Sequence, residues 1–353
     1  MTASSSSIPL VRAAFGRPFL LTLSRLGIPL TRYQRQYSIS ISDHEDPLAL
    51  MPERPWWLLA NDVANREGIG DLCLRIGNSV PFNKISSLAP QLSACITLAE
   101  LLQAFCEAAK LQSTHARFDL LPDRSGVWIR SVGPPLLDNH ADCAQLRLYH
   151  VLGCIQIAQT ILGKDWRPTK VKLSQSHNQD VEDSPILAAE QLYFNQPYSA
   201  VHLSHKDLAR RSIKPNEPGS RPLNIEQPPE TFIDSIRAAI IHLFPSRNLR
   251  VETLAEIANM PVRTFQRRLR DQGVSFTRIV EQARFETACT LVAQPDLPLQ
   301  AVSGQLGYSD YTKFSRAFSR WAGTTPRRYR DLLGTQTQAA RAGCDYPDAR
   351  ANG

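Results

Sequence analysis

The sequence lacks most of the patterns that would make it an enzyme, a membrane protein or a disulfide scaffold. It holds no uninterrupted apolar run of about 18 residues, the length a membrane-spanning helix needs. Its cysteines, Cys73, Cys95, Cys106, Cys143, Cys154, Cys289 and Cys344, are odd in number and include no C-x-x-C pair. That excludes a framework of paired disulfides or a zinc site of paired thiolates, and most of these thiols fall on apolar faces as small core residues. His115, His140, His150, His177, His202 and His205 form no H-E-x-x-H pattern. His202 and His205 lie three apart at a strand end with no evident acidic partner, so no metal is assigned. There is no G-x-S-x-G elbow, no phosphate-binding G-x-x-x-x-G-K run and no G-x-G-x-x-G, so neither an enzyme nor a cofactor is expected. Acidic residues are missing from the first 42 positions. A transit peptide has that look, but Phe15, Phe19, Leu23 and Leu26 recur at helical spacing, which favours an ordinary helix over Val11 to Leu26.

What is present is a pattern that occurs twice near the end of the chain. VETLAEIANMPVRTFQRRLRDQG (251–273) and PLQAVSGQLGYSDYTKFSRAFSRWAGTTPRRYR (298–330) each hold two short amphipathic helices and a tight turn, offset by about 48 residues. In the second, Leu299, Val302 and Leu306 mark one apolar stripe, Gly307 breaks it, Ser309 is the expected cap, and Phe314, Phe318 and Trp321 mark the next stripe. These are two helix-turn-helix units, at 251–272 and 298–321. In the first, Phe265 and Leu269 point inward, while Arg263, Gln266, Arg267 and Arg270 share another face. In the second, Tyr311, Thr312, Ser315, Arg316 and Ser319 share the outer face. Arginine can grip guanine and glutamine adenine in a two-pronged way, so Arg263, Gln266, Arg267, Tyr311, Thr312, Ser315 and Arg316 are assigned to base edges. Arg268, Arg270, Lys313, Arg327 and Arg328 are assigned to phosphates. The net charge supports duplex DNA as the partner: of the +7 overall, +6 lies between residues 229 and 330.

The runs LGYSDYTKFSRAFSRWAGTTPRRYR (306–330) and MPVRTFQRRL (260–269) resemble the AraC/XylS-type transcriptional regulators. That resemblance implies two helix-turn-helix units joined by a linker helix, here Phe276 to Val292 with Ile279, Ala283 and Ala288 inward. It also implies promoter DNA and RNA polymerase as partners and favours an activator. Three positions depart from the family pattern. Asn259 stands at the usual turn glycine, and Asn tolerates a left-handed backbone. Pro261 replaces a capping serine and fits a first helical turn. Ser303 stands where alanine is common.

The rest of the chain is ordinary in composition, 42% apolar and 21% charged, and long enough for two or three domains. Helical patterns run through ERPWWLLANDVANREG and IGDLCLRIG, with Gly68 and Gly77 as stops. Thr97 and Glu100 make a capping box for a helix through Lys110. A hairpin turns at Pro122–Gly126, and a helix apolar around most of its surface runs from Ala141 to Gly163. Strands are expected around Val171 and Val201, and a short helix at Asp207–Arg211. Trp56, Trp57, Trp128, Trp166, Tyr193, Phe194 and Tyr198 can each line a pocket or fill a core.

VRAAFGRPFLLTLSRLGI (11–28), GDLCLRIG (70–77), GKDWRPTKVKL (163–173) and QPYSAVHLSHKDLARR (196–211) resemble the arabinose-binding-type sensor domain of one AraC subgroup. This implies an α+β N-terminal sensor domain that binds a small-molecule effector and often self-associates as a homodimer. An all-α domain with the two helix-turn-helix motifs and their linker helix follows. The expected organisation is a flexible tail at 1–9, a sensor at 10–212, a linker at 213–228, a DNA-binding domain at 229–334 and a disordered tail at 335–353. Function would be effector-controlled, sequence-specific DNA binding in a bacterial cytoplasm, with no membrane partner. The alternatives are an effector-independent DNA binder and a DNA-binding domain fused to an unrecognised enzyme. A cysteine-based repair enzyme would need a reactive Cys beside His or Glu in a local motif, and none is present.

Overall fold

A computed structural model describes residues 7–37, 39, 46–82, 85, 92, 95–132, 144–211, 225–245 and 249–333. The expected tail at 335–353, most of the linker at 213–228, Cys143 and Cys344 lie outside these residues. By their contacts the residues form two compact units, 1–239 with 254–261, and 240–253 with 262–353.

The first unit begins earlier than its sequence suggests. The tail expected at 1–9 is buried from its seventh residue: Ser7 is 6% exposed and Ile8 1%. Ile8 donates its N–H to Ser235 Oγ (2.9 Å), and Thr114 Oγ1 donates to the Ile8 carbonyl (2.8 Å). Strand β1 (Leu10–Arg12) pairs antiparallel with β2 (Leu50–Pro52), and all three β1 residues are buried. Three consecutive buried residues, with both faces covered, suit an extended chain and not a helix. The expected helix therefore starts later, as α1 (Gly16–Arg25), after one 3₁₀ turn at Ala13–Phe15. Phe15, Phe19 and Leu23 are buried as expected, but Leu26 is exposed because the chain turns away at left-handed Gly27. The Arg12 guanidinium is buried and donates to three main-chain carbonyls, those of Leu111, Leu48 and Glu226.

Next come α2 (Leu30–Tyr37) and α3 (Arg54–Glu67), the latter ended by Gly68 in the left-handed region (φ 65°). Helix α4 (Leu72–Ser79) passes through Gly77 instead of stopping there. A Cβ on Gly77 would lie 2.9 Å from Leu152 Cδ2, so this glycine permits close helix packing. Helix α5 (Leu98–Lys110) carries the expected Thr97/Glu100 capping box. The hairpin is β3 (Arg117–Asp123) and β4 (Gly126–Val132), its turn held by Asp123 Oδ1, which accepts from Ser125 N and Gly126 N. Helix α6 (Ala144–Leu162) is buried on nearly every side, packed by α3, α4, α5, β4 and β7.

Strand β5 (Lys170–Lys172), helix α7 (Gln179–Glu182), β6 (Gln191–Tyr193), β7 (Ala200–Ser204) and helix α8 (His205–Leu208) complete the body. The sheet order is β3-β4-β7-β5-β6, antiparallel except for the β5/β6 pair. β6 carries no apolar alternation and is invisible to a period-2 search. Helix α8 starts two residues before the expected Asp207, because Ser204 caps it and Asp207 closes the box. His202 does have an acidic neighbour: its Nε2 lies 3.6 Å from Asp123 Oδ1 and 3.0 Å from Ser125 Oγ. The β4/β7 pairing brings these distant residues together.

The remaining helices are α9 (Phe232–Leu243), α10 (Val251–Ile257), α11 (Val262–Asp271), α12 (Phe276–Val292), α13 (Leu299–Gln305) and α14 (Tyr311–Ala322), with a last helical stretch at 326–333. Phe232, Ile236, Ile240 and Leu243 on α9 are all buried. Helix α12 has the bounds expected of the linker helix, with Ile279, Ala283 and Ala288 buried. In the second unit the Phe318 ring meets Phe314 (5.8 Å) and Phe285 (6.1 Å) at a tilt and Tyr329 (5.3 Å) edge-on. Arg330 ties the last helical stretch to the end of α12, donating to the carbonyls of Val292 and Leu297 (2.7 Å each). No helix among the described residues is long and apolar enough to cross a membrane.

Phe314 is fully buried in this aromatic cluster, against Phe318, Tyr308 and Tyr311. Phe314→Ala is expected to cost about 3–5 kcal/mol. Chemical denaturation of the full chain followed by circular dichroism would show this as an earlier helical transition; an unchanged midpoint would contradict the packing.

Candidate nucleic-acid interface and sensor cavity

The two helix-turn-helix turns are the same hydrogen-bonded object, 48 residues apart. In the first, Asn259 adopts φ 51°, Asn259 N donates to Glu256 O, and Met260 N reaches Ala255 O (3.0 Å). In the second, Gly307 adopts φ 78°, Gly307 N donates to Gly304 O, and Tyr308 N reaches Ser303 O (3.0 Å). One left-handed residue with a long-reaching bond behind it ends each first helix and fixes the departure of the second. Asparagine pays less than other side chains for that conformation. The caps that follow differ. Asp310, and not the expected Ser309, caps α14: its Oδ1 accepts from Lys313 N (2.9 Å), while Ser309 Oγ donates to the Asp310 carboxylate. Helix α11 starts at Val262, so Pro261 sits immediately before it instead of within its first turn.

Both second helices divide as their spacing implies. On α11, Phe265 and Leu269 are buried, while Arg263, Gln266, Arg267 and Arg270 are exposed. Arg268 is half-buried, and burial lowers its pKa, which sets it apart from the freely hydrated arginines beside it. On α14, Phe314 and Phe318 are buried; Thr312, Lys313 and Arg316 are exposed; Ser315 is intermediate. Tyr311 is intermediate too, because its ring leans on Phe314 (6.1 Å), leaving only part of it outward. Trp321 meets Phe285 (6.1 Å) at the rim of the cluster. The Lys313 amine contacts Ser309 Oγ (2.9 Å), and Arg320 pairs with Glu281 (2.8 Å). Arg327 and Arg328 are exposed after α14, whereas Arg330 is spent on the carbonyls described above. Two rows of exposed donors, each behind a fixed turn, can meet base edges and phosphates.

The first unit encloses a cavity of about 30 Å³. Glu53, Trp57, Gln112, Phe118, Tyr149 and His150 are among its lining residues. Glu53 precedes α3 and accepts from Ser113 Oγ (3.2 Å). Burial pushes its carboxyl up to about 7, against smaller downward effects of Trp57 and Ser113. Trp57 lies beside that carboxyl, although its Nε1 makes no hydrogen bond of normal geometry. The buried Tyr149 hydroxyl has no partner among the described residues. His150 contacts Ser131 Oγ (2.8 Å), and burial brings it down to about 4. Of the aromatics singled out from sequence, only Trp57 lines this space. Trp56 packs on Phe19, Trp128 on His202, Phe194 on His177, and Tyr193 is 40% exposed. Trp166 donates to Asp207 Oδ1 (3.3 Å), and Tyr198 lies under Arg130 (5.2 Å). Sequence reading missed Glu53; an acidic residue immediately before R-P-W-W was the available signal.

Two expected outcomes follow from this geometry. Asn259→Gly should leave stability within a few tenths of a kcal/mol, whereas Asn259→Ala should lose about 1 kcal/mol or more in the left-handed region; paired urea melts compare them, and equal midpoints would refute the role of the turn. Glu53 and His150 titrate in opposite senses. Folded Glu53 keeps a proton that the unfolded chain releases between about 4.5 and about 7, so its contribution falls as pH rises through that window. Neutral His150 contributes stability that rises over about pH 4 to 6.5 and masks the fall. Glu53→Gln should therefore gain on the wild type as pH rises from 4.5 to 7, by on the order of 3 kcal/mol; a pH-independent difference would contradict the buried carboxyl.

Comparison with known proteins adds two family matches. Residues 254–331 match the model described as a helix-turn-helix domain, and residues 27–212 the arabinose-binding N-terminal domain of AraC transcription regulator. Similar curated proteins include the HTH-type transcriptional regulator VqsM of Pseudomonas aeruginosa, 35% identical over 102 residues, 29% of each chain. The HTH-type transcriptional regulator VirS of Mycobacterium tuberculosis is 38% identical over 88 residues, 25% of this chain and 26% of VirS. The chain thus spans under a third of these relatives' length. Among solved structures, the regulator CdpR of Pseudomonas aeruginosa is matched over 90% of this chain and 98% of its own, with a TM-score of 0.39 and 17% identity.

Proposed function

Because the chain belongs to the AraC-type transcription regulators with an arabinose-binding-type N-terminal domain, we propose that it activates transcription from specific promoters under the control of a small molecule held in its first unit. It is a transcription regulator with a helix-turn-helix DNA-binding region, and its families are those of regulators and not of enzymes. The observation that carries the finer reading is the pair of exposed polar helix faces, each set behind the same left-handed turn. In this reading Arg263, Gln266 and Arg267 on α11, and Tyr311, Thr312, Ser315 and Arg316 on α14, face base edges in two successive major grooves about 34 Å apart. Arg270, Lys313, Arg327 and Arg328 hold phosphates. Arg268 joins them with its outer portion, its stem lying against the protein. RNA polymerase is the partner at the promoter, and a homodimer would double the contacts. The protein works in a bacterial cytoplasm, on the nucleoid. Effector control requires that the ligand bind two states of the protein with different affinity.

The experiment is binding selection on a randomised site with single variants of the full chain. Arg267→Ala is expected to lose about 1–3 kcal/mol and to relax preference at one or two base pairs of one half-site. Arg316→Ala should do the same about ten base pairs away. Arg328→Ala should weaken all sequences alike and reduce the salt slope by about 1. If Arg267→Ala and Arg316→Ala relax the same positions, or neither relaxes any, the two-groove reading fails.

A further inference from the structure

We propose that the open groove along α6 is the effector site of the first unit, and that the effector is a small aliphatic carboxylate. The inference rests on the effector reading above and adds a place and a chemical class. The groove holds about 560 Å³, within the range of small-molecule sites, whereas the enclosed space beside Glu53 is the size of one water. Its cationic end is Lys164 and Arg167, in the loop after α6, and among the described residues no aspartate or glutamate lines it. Arg167 Nη1 is held by the carbonyls of Lys164 (2.8 Å) and Trp166 (2.9 Å). That leaves Nε and Nη2, the two donors of one guanidinium edge, with no partner among the described residues. Such an edge matches the two oxygens of a carboxylate. The exposed Lys164 amine has no partner among the described residues either, and adds a second positive charge. A larger groove at the end of α5, about 830 Å³, has its charges already answered. Lys110 pairs there with Glu107 (2.7 Å), and Arg117 spends its donors on the carbonyls of Ser113, Ala116 and Thr114.

The remainder of the α6 groove suits an uncharged chain. Leu152, Gln156, Gln159 and Thr160 fall at i, i+4, i+7 and i+8, so they form one track along α6 that leads to Lys164. From Leu152 to Thr160 the track runs about 12 Å, room for an extended chain of about eight carbons. Both ends of the Gln156 amide are engaged, accepting from Phe82 N (2.8 Å) and donating to Gly77 O (3.2 Å), and the Gln159 amide donates to the carbonyls of Lys164 and Trp166. Pro81, Leu152, Pro185 and Ile186 supply apolar walls. No aromatic ring among the described residues lines the space for a base to stack on. Charge at one end and hydrocarbon along the track call for a ligand with the same polarity. Binding also has a route outward. Trp166, in the loop between the two cations, donates from Nε1 to Asp207 Oδ1 (3.3 Å), and Asp207 closes the cap of α8. A ligand that pulls on Arg167 therefore acts on α8, the last described helix before α9.

The test is calorimetric titration of the full chain with butanoate, hexanoate, octanoate, 1-hexanol, hexylammonium and inorganic phosphate, on the wild type, on Lys164→Gln and on Thr160→Trp. Both positions are exposed, and the Thr160 hydroxyl bonds only within its own helix, so both variants should fold. Octanoate should bind the wild type tenfold or more tighter than butanoate, and hexanoate tenfold or more tighter than hexanol or hexylammonium. Hexanoate affinity should fall fivefold or more in Lys164→Gln, which loses a charge, and tenfold or more in Thr160→Trp, which fills the track. Binding of no carboxylate, equal binding of hexanol, binding of phosphate alone, or unchanged affinity in both variants overturns the proposal. A reporter on a promoter recovered by the binding selection tests the effector reading apart. If expression responds to a growth condition and the response survives both variants, the effector sits elsewhere and the proposal falls while the effector reading stands. If hexanoate binds as expected and expression of the wild type never varies with any condition, effector control fails and the carboxylate site stands without it.

Discussion

Everything proposed for the DNA-facing region depends on where one backbone residue in each helix pair turns. A helix advances about 100° per residue, so a turn one residue longer or shorter would rotate the following polar face by about a quarter of a circle. Asn259 and Gly307 prevent this by the same means, a left-handed conformation locked by a long-reaching main-chain bond. The side chains differ and the geometry does not. The facing arginines are therefore positioned by carbonyls and amides that carry no sequence-specific chemistry.

That region was largely legible in the sequence because its determinants are local. Phe265 and Leu269, or Phe314 and Phe318, report their own burial through a spacing of four. The left-handed turn is announced by Gly307 and tolerated at Asn259, and α12 has the bounds that periodicity and resemblance supply. The local errors are those of competing local chemistry. Asp310 outbid Ser309 as a cap, being one residue nearer the helix and a stronger acceptor. Gly77 looked like a stop but is a contact, which only the distant Leu152 reveals.

The first unit was legible in its long helix, its hairpin and its capping box, and opaque where remote residues define the environment. Strand β1 is extended because β2 lies beside it, not because of any alternation of its own. The cavity gathers Glu53, Gln112 and Tyr149, which are far apart in the chain, so no spacing announces it. Ser303 shows the same limit in the second unit: it fits where alanine is common, yet its hydroxyl is buried with no partner among the described residues. A buried, unmade hydrogen bond is a standing cost that size alone does not disclose.

Arg12 has a consequence for how the protein meets its medium. Among the described residues its guanidinium donates to carbonyl oxygens, which do not titrate. Burial lowers the pKa of this guanidinium while the Asp46 and Glu226 carboxylates nearby raise it, so the tether itself is made to uncharged acceptors within a setting that is acidic. The exposed arginines of α11 and α14 have the opposite character, since mobile ions compete directly with whatever polyanion they meet. The molecule is thus anchored by arginine at one place and made sensitive to its ionic surroundings by arginine at another, and the difference lies entirely in what the same functional group is given to hold.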